Sequence, residues 1–166
     1  MSIAITPRLI IRQVKPEDAP FVLKILNSPG WLQFIGDRNV HDIAAAENYI
    51  STRFQHSYGI NGYGIYAVQL KETGMLAGLC GLVKREFLPD ADLGYALIPE
   101  HEGHGYAQEA AEAVLHHARH ELALDAVLAI VTPTNKRSIH LLQKLGFDFK
   151  NEIDENGEKL LLYEKK

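Results

Sequence analysis

The chain has 166 residues, 46% of them hydrophobic and 23% charged, which is the size and composition of one ordinary globular domain spanning residues 1–166. Its formal net charge of −4 argues against a nucleic-acid binder, which would carry a basic surface. A single cysteine excludes an internal disulfide framework, and the lack of a charged leader or an apolar run of ~18 residues predicts a cytoplasmic protein without a membrane span.

The first half of the chain predicts strands and helices that end in an antiparallel meander. Pro16 and two acidic residues open the first helix, which the Asn27-Ser28-Pro29-Gly30 segment ends. Lys71-Glu72-Thr73-Gly74 has the composition of a hairpin turn. Strands are predicted at residues 8–12, 63–70, 76–83 and 91–98, and a second helix at residues 41–54.

After Pro99 the hydrophobic pattern changes from strand spacing to helix spacing. A strand of buried type at residues 126–131 and a short helix at residues 135–145 follow a long helix. One apolar stripe on the long helix contains Ala107, Ala110, Ala111, Val114, Leu115, Ala118 and Leu122.

The short helix is expected to stop at Gly146 in the left-handed conformation, so that Phe147 folds back onto Leu142. Two last strands, at residues 148–151 and 159–164, are joined by Asn156-Gly157. The element order predicts an α+β fold of three layers, α/β/α, with helices on both faces of a mixed, mostly antiparallel sheet.

Two glycines precede the long helix, at positions 103 and 105. A helix N-terminus offers unpaired N–H groups and a partial positive charge, and glycines let a bulky anion approach the backbone. The segment therefore predicts a pyrophosphate cradle, with a simple tight turn as the alternative. It lacks the Gly-Lys-Ser/Thr ending of a P-loop and the third glycine of the dinucleotide-binding fingerprint.

Four motifs together resemble the GCN5-related N-acetyltransferase (GNAT) superfamily. Glu102-Gly103-His104-Gly105-Tyr106-Ala107 resembles its Q/R-x-x-G-x-G/A signature, with Glu102 in place of the Gln or Arg. Asn135-Lys136-Arg137-Ser138-Ile139-His140-Leu141, followed by Lys144-Leu145-Gly146-Phe147, resembles its N-x-x-S-x-x-L-x-x-x-G-F helix. Thr6-Pro7-Arg8-Leu9-Ile10-Ile11-Arg12 and Gly94-Tyr95 look like the branch that acetylates the N-termini of ribosomal proteins, in which Ala96 is often Trp.

The resemblance implies a GNAT fold whose sheet is splayed between the fourth and fifth strands, residues 92–98 and 126–131, with acetyl-CoA in the gap. A backbone N–H near Leu97 is then expected to stabilise the oxyanion, and transfer from thioester to amine is implied to be direct. The residues implied to bind the donor are Leu97, Ile98, Glu102, Gly103, His104, Gly105, Tyr106, Ala107 and Asn135.

A protonated amine cannot attack a thioester, so the reaction needs a base, acting directly or through water. Asp92 is the leading candidate, and the alternative is a solvated carboxylate at a strand end. Ser138 is the candidate proton donor to the departing thiolate, or simply a first-turn residue bonded to the helix cap that Asn135 is expected to form. Competing bases, each also interpretable as a surface turn residue, are Glu100, His101 and Glu102.

The acceptor is expected to be a cationic amine at an acidic rim. Rim carboxylates are expected at Asp37, Glu86, Asp90 and Asp92, and aromatic residues that either wall the site or belong to the core are Trp31, Phe34 and Tyr63. The leading hypothesis is an N-terminal protein acetyltransferase of ribosomal-protein type. The alternatives are a small-molecule amine acetyltransferase, for an aminoglycoside, polyamine or amino acid, and a non-catalytic acyl-CoA sensor.

The expected partners are therefore acetyl-CoA and an amine, without nucleic acid or membrane, and the chain is expected to be a monomer or a homodimer. Cys80 lies in an apolar run and is interpreted as a buried small hydrophobic residue. The histidines do not predict a metal site, because His116 and His117 are adjacent, and His101 and His104 have no close third ligand.

Overall fold

The computed structural model describes residues 2–166 and contains one eight-stranded sheet of order β1-β2-β3-β4-β5-β6-β8-β7. Neighbouring strands are antiparallel except for the parallel pair β5 and β6. The strands are Ser2–Ile5 (β1), Leu9–Gln13 (β2), Ile65–Leu70 (β3), Leu76–Val83 (β4), Asp92–Leu97 (β5), Val127–Val131 (β6), Asp148–Glu155 (β7) and Glu158–Lys165 (β8).

Six α-helices lie within the described residues, and short irregular helical turns extend them. A 3-10 turn at Pro16–Asp18 leads into the first helix, another at Pro99–His101 follows β5, and a π-helical segment at Ile50–Gln55 joins the third helix to the fourth. The α-helices are Ala19–Leu26 (α1), Pro29–Phe34 (α2), Ile43–Tyr49 (α3), His56–Asn61 (α4), Tyr106–His120 (α5) and Lys136–Lys144 (α6).

Helices cover both faces of the sheet, which confirms the three-layer α+β architecture. On one face α5 packs against the strands through buried residues such as Val114, and α6 packs through Leu142. On the other face α1 and α3 pack through residues such as Ile25 and Ala46. The predicted apolar stripe supplies the contact of α5, because residues at helical spacing share one face.

β5 and β6 touch at one end and then diverge. Within the described residues their register contains one pair, Asp92 with Leu128, beside a 2.9 Å bond from the Leu128 N–H to the Ala91 carbonyl. β4 pairs with the outer edge of β5, and β8 pairs with the outer edge of β6. The outer pairings hold both strands while their inner edges separate, so the predicted gap lies between residues 93–97 and 129–131.

Several element boundaries differ from the sequence prediction. The prediction missed β1, whose four residues pair with β2, so the splayed strands are the fifth and sixth instead of the fourth and fifth. The predicted helix at residues 41–54 continues to Asn61, because the π-helical segment carries it onward until Gly62 closes α4 with a φ of 77°. The segment at residues 27–30 only interrupts the helical region, since Pro29 opens α2.

Two predicted chain reversals are confirmed. Gly146 has a φ of 90°, and its N–H donates to the Gln143 carbonyl at 3.1 Å. The Phe147 N–H donates to the Leu142 carbonyl at 3.0 Å, which completes the expected helix ending. At the β7–β8 turn, Asn156 and Gly157 have φ values of 53° and 81°, as a two-residue hairpin of this composition requires.

Candidate active site

The loop between β5 and α5 has the shape of an anion cradle. Gly103 and Gly105 have φ values of 80° and 82°, the left-handed conformation that glycine takes without steric cost. Gly105 caps α5, and the Glu109 N–H donates to the Gly105 carbonyl at 3.1 Å. The amides of residues 106–108 precede that bond and have no partner within the helix. Unpaired N–H groups at a helix N-terminus suit a phosphate, so phosphate binding at this loop stays a prediction.

Arg8, to which no sequence pattern assigned a role, reaches this loop from the start of β2. Its Nε donates to Glu109 Oε1 at 2.7 Å, and its Nη1 donates to the His104 carbonyl at 2.9 Å. The guanidinium carbon lies 4.5 Å from the centre of the Tyr106 ring. Burial would raise the pKa of Glu109, but hydrogen bonds from Thr6 and Arg8 outweigh burial and lower it.

Glu102, the residue that departs from the signature, pairs with α6 across the mouth of the gap. Its Oε2 lies 3.6 Å from Nη1 of Arg137. Both side chains are exposed, so the pair adds little stability. The pairing does place a cation beside a carboxylate that would otherwise stand unpaired near a bound anion.

Backbone alternation places the Leu97 N–H in the gap and the Ile98 N–H outside it. The Ala91 carbonyl accepts a bond from β6, so odd-numbered residues of β5 turn their backbone groups toward the gap. The Ile98 N–H donates to the Ala77 carbonyl of β4 at 3.0 Å, and the Ile98 carbonyl accepts from His101 at 3.0 Å. The backbone N–H of Ile98 is therefore used within the sheet, and a contact of Ile98 with the donor stays a prediction that would depend on its side chain.

Asp92 lies at the closed end of the gap and is 1% exposed, so it is not a solvated strand-end carboxylate. Its Oδ1 accepts a hydrogen bond from Arg85 Nε at 3.0 Å. Burial raises the pKa of Asp92 to about 6, against the opposing charge and hydrogen bond of Arg85. A carboxyl group that titrates near neutral pH suits general-base chemistry.

Asp92 and Leu97 cannot both contact one thioester. Leu97 lies five residues further along β5, a separation of about 16 Å at the usual rise of a strand. The Leu93 N–H is nearer to Asp92, but it donates to the Leu128 carbonyl, because the parallel pairing of Asp92 with Leu128 consists of that bond and the Leu128–Ala91 bond. The first open N–H on the gap side of β5 is therefore that of Tyr95.

Ser138 lies in the first turn of α6, next to a partner on β5. The Ser138 N–H donates to Oδ1 of Asn135 at 3.3 Å, which confirms Asn135 as the helix cap. Ser138 Oγ also lies 2.6 Å from the Tyr95 hydroxyl, and either group can be the donor. Burial raises the pKa of Tyr95 to about 12, and the bond with Ser138 offsets part of that rise. Tyr95 was missed as a site residue, although the strand alternation directs its side chain to the face where α6 packs.

The competing bases lie on the surface of the loop after β5. Glu100 is ion-paired with Lys24 of α1, and the hydrogen bond from that lysine is the main reason that the pKa of Glu100 is lowered. A lowered pKa makes a carboxylate a weaker base, so the structure favours Asp92 over Glu100. The His101 and His104 rings lie 6.3 Å and 5.7 Å from the centre of the Tyr106 ring.

The expected acceptor rim is only partly acidic. Asp92 is buried and paired with Arg85, so it does not contribute a free surface charge. Tyr63 lies close enough to Asp92 and Asp90 to be affected by their charges. Burial is the main reason that the pKa of Tyr63 is raised, and these two carboxylates raise it further. Trp31 of α2 is half-buried and packs against the cluster of buried residues that includes those of α1 and α3, as the core interpretation expected.

Residues 2–166 contain no cluster of three or more His, Cys, Asp or Glu side chains placed to hold a metal ion. Over the same residues, every helix is too short or too polar to span a bilayer. Cys80 is 1% exposed, as expected, and burial raises the pKa of its thiol.

Residues 8–148 match a family model described as an acetyltransferase (GNAT) domain. The uncharacterized N-acetyltransferase YoaA of Bacillus subtilis is 31% identical over 145 residues, which are 86% of this chain and 80% of that protein.

Two solved structures share the fold at lower identity. One is RimL, a ribosomal L7/L12 α-N-protein acetyltransferase in complex with coenzyme A, with a TM-score of 0.83 and 15% identity over 99% of this chain and 97% of that chain. The other is a chimera of the spermidine N-acetyltransferase SpeG from Vibrio cholerae, with a TM-score of 0.75 and 19% identity over 94% of this chain and 93% of that chain. At these identities the likeness concerns the fold alone.

Proposed function

We propose that this chain, which belongs to the acetyltransferase (GNAT) domain family and is an acetyl-CoA-dependent N-acetyltransferase, acts on the N-terminal amine of a protein. The observation that carries this proposal is the pair of segments at residues 6–12 and 94–95 that resemble the ribosomal-protein branch. The fold shared with RimL along almost the whole chain supports the same acceptor class.

A polyamine is the second candidate acceptor. Asp37, Glu86 and Asp90 lie in loops of the expected rim and are exposed or half-exposed, and a chain of several ammonium groups would contact more than one of them. The fold shared with the spermidine N-acetyltransferase supports this alternative.

Thiol release from acetyl-CoA, measured with a free-thiol reagent, tests the acceptor. The panel contains a peptide with a free N-terminus, the same peptide blocked at its N-terminus but carrying a lysine, and spermidine. Turnover of the free peptide and not of the blocked one supports the proposal. Turnover of spermidine alone would replace it with the polyamine candidate. Donor binding without turnover on any amine would favour the non-catalytic sensor.

The residues present fit acetyl-CoA as the donor. The amides of residues 106–108 and the open backbone at Gly103 and Gly105 suit its pyrophosphate. The backbone groups of Tyr95 and Leu97 face the gap and suit the amides of an extended arm. Bound there, acetyl-CoA supplies an activated acetyl thioester.

The chain supplies a base and a proton donor on opposite sides of the gap. Asp92 takes the proton from the acceptor amine, directly or through water. The Tyr95 N–H, the first open N–H on the gap side of β5, stabilises the negative charge on the acetyl oxygen, and Leu97 binds the arm nearer the cradle. Ser138, oriented by the Tyr95 hydroxyl at 2.6 Å, gives a proton to the departing thiolate.

We also propose that residues 1–166 act as one domain, in the cytoplasm, as a monomer or a homodimer. The single sheet that joins strands from both ends of the chain supports one domain. Light scattering after size-exclusion chromatography measures the oligomeric state, and a larger assembly would contradict it.

A further inference from the structure

Arg8 makes several contacts with the phosphate cradle, from a position almost a hundred residues away in sequence. Its Nε and its backbone N–H both donate to the Glu109 carboxylate, at 2.7 Å and 3.0 Å. Its Nη1 donates to the His104 carbonyl at 2.9 Å, and its guanidinium lies over the Tyr106 ring. One side chain thus contacts the loop before Gly105 and the first turn of α5 after it.

The same contacts fix the conformation at Gly105. A Cβ atom built on Gly105 would lie 3.3 Å from Arg8 Nη2, tighter than most real contacts. Arg8 therefore packs against the one face of the loop that a side chain would otherwise occupy. Because Gly105 has a φ of 82°, its backbone has many other conformations open to it, and contacts on both sides are needed to hold this one.

Arg8 also neutralises the negative charge of Glu109, which lies close to the proposed phosphate site. Glu109 stands in the first turn of α5, within reach of any phosphate bound at residues 106–108. An unpaired carboxylate there would repel the donor phosphates and would compete with them for the positive end of the helix dipole. The Glu109 carboxylate accepts hydrogen bonds from Thr6 Oγ1 at 2.5 Å and from Arg8 Nε at 2.7 Å. Its side chain is only 17% exposed.

We propose that Arg8 is a positioning residue for donor binding, which holds the cradle in its phosphate-binding shape by joining Glu109, the His104 carbonyl and the Tyr106 ring. The inference rests on the placement of the donor pyrophosphate at this loop. It concerns affinity for acetyl-CoA, not the chemical step.

The test is the Kd for acetyl-CoA, together with kcat and KM, in Arg8→Ala and Arg8→Lys. Loss of a preorganised loop should raise Kd and KM about tenfold in both variants, with kcat at saturation little changed. Lysine should not rescue, because one ammonium group cannot bond to Glu109 and His104 in the planar fork that arginine provides. Amide hydrogen exchange at residues 103–109 should speed up, while exchange in β3 should not.

Arg12→Ala is the matched control. Arg12 lies four residues after Arg8, on β2, and forms an ion pair of 2.8 Å with Asp18, away from the cradle. Its loss should lower the melting temperature and leave the Kd for acetyl-CoA unchanged.

Two results would overturn the inference. An unchanged Kd in Arg8→Ala would mean that the contacts of Arg8 stabilise the fold but do not affect donor binding. A wild-type Kd in Arg8→Lys would mean that a positive charge at this position is sufficient for donor binding. The variant Gly105→Val distinguishes a wrong role for Arg8 from a wrong location of the phosphate site. If Gly105→Val also leaves Kd unchanged, the phosphates bind elsewhere; if it alone raises Kd, only the role of Arg8 is wrong.

Discussion

Asp92 is a buried carboxyl group whose pKa of about 6 places its titration inside the working range of a base. We expect kcat to fall as the pH drops below about 6, because the protonated group cannot accept the amine proton. Asp92→Asn should lower kcat by roughly 10²-fold and remove this acid limb, with little change in donor binding. Asp18→Asn is the control, since Asp18 also pairs with an arginine but lies away from the gap. A wild-type kcat in Asp92→Asn would exclude it as the base.

The carboxyl groups of Asp92 and Asp18 should change the stability of the fold in opposite ways, since one pKa is raised and the other is lowered. The folded-state pKa of Asp92 is raised by burial, so its destabilising effect grows as the pH rises from about 4 through 6. The pKa of Asp18 is lowered because hydrogen bonds from Arg12 and Lys15 outweigh burial, so its stabilisation is lost as the pH falls below the ordinary range of Asp. Thermal unfolding of Asp92→Asn and Asp18→Asn between about pH 2 and pH 8 measures both effects, and equal pH profiles in the two variants would contradict this.

Tyr95 and Ser138 join the two sides of the gap through one hydroxyl contact of 2.6 Å. Ser138→Ala should lower kcat by about tenfold or less, below the usual range for a general acid, because water can replace a hydroxyl in an open cleft. Tyr95→Phe should have a similar effect, and the double variant should lose no more than either alone, since both changes remove the same interaction. Additive losses in kcat would mean that the two hydroxyl groups act separately.

At the level of elements, the end of α6 depends on Gly146. An alanine at a φ of 90° should lower the free energy of unfolding by about 1–2 kcal/mol, the penalty for an L-residue in the left-handed region. The nearest atom to the new Cβ, Lys165 Nζ at 2.8 Å, is the end of a flexible side chain and can move away. Gly30→Ala is the control, because its surroundings are open and its φ is not left-handed. Urea denaturation of both variants measures the difference, and equal losses would contradict the assignment.

At the level of the whole molecule, donor binding should stabilise the fold. Acetyl-CoA at about 100 times its Kd should raise the melting temperature by about 5–10 °C, because it binds the folded state. Gly105→Val should abolish this shift, whereas Gly157→Val, with a φ of 81° in the distant β7–β8 turn, should lower the melting temperature and keep the shift. A full shift in Gly105→Val would place the cradle elsewhere.

The sequence by itself determined the features that depend on local geometry. Helical spacing identified the buried stripe of α5, and glycine or Asn-Gly positions identified the helix end at Gly146 and the β7–β8 turn. Gly103 and Gly105 indicated the loop before α5 for the same reason, because a left-handed backbone before a helix is encoded within a few residues.

Only the tertiary structure decided which side chains meet at the site. Asp92 with Arg85, Tyr95 with Ser138, and Arg8 with Glu109 are 7, 43 and 101 residues apart, and no periodicity within one element connects them. The splay of β5 and β6 is of the same kind, since it follows from how β4 and β8 pair with their outer edges. β1 was missed for a related reason: a strand of four residues becomes recognisable only through its pairing with β2.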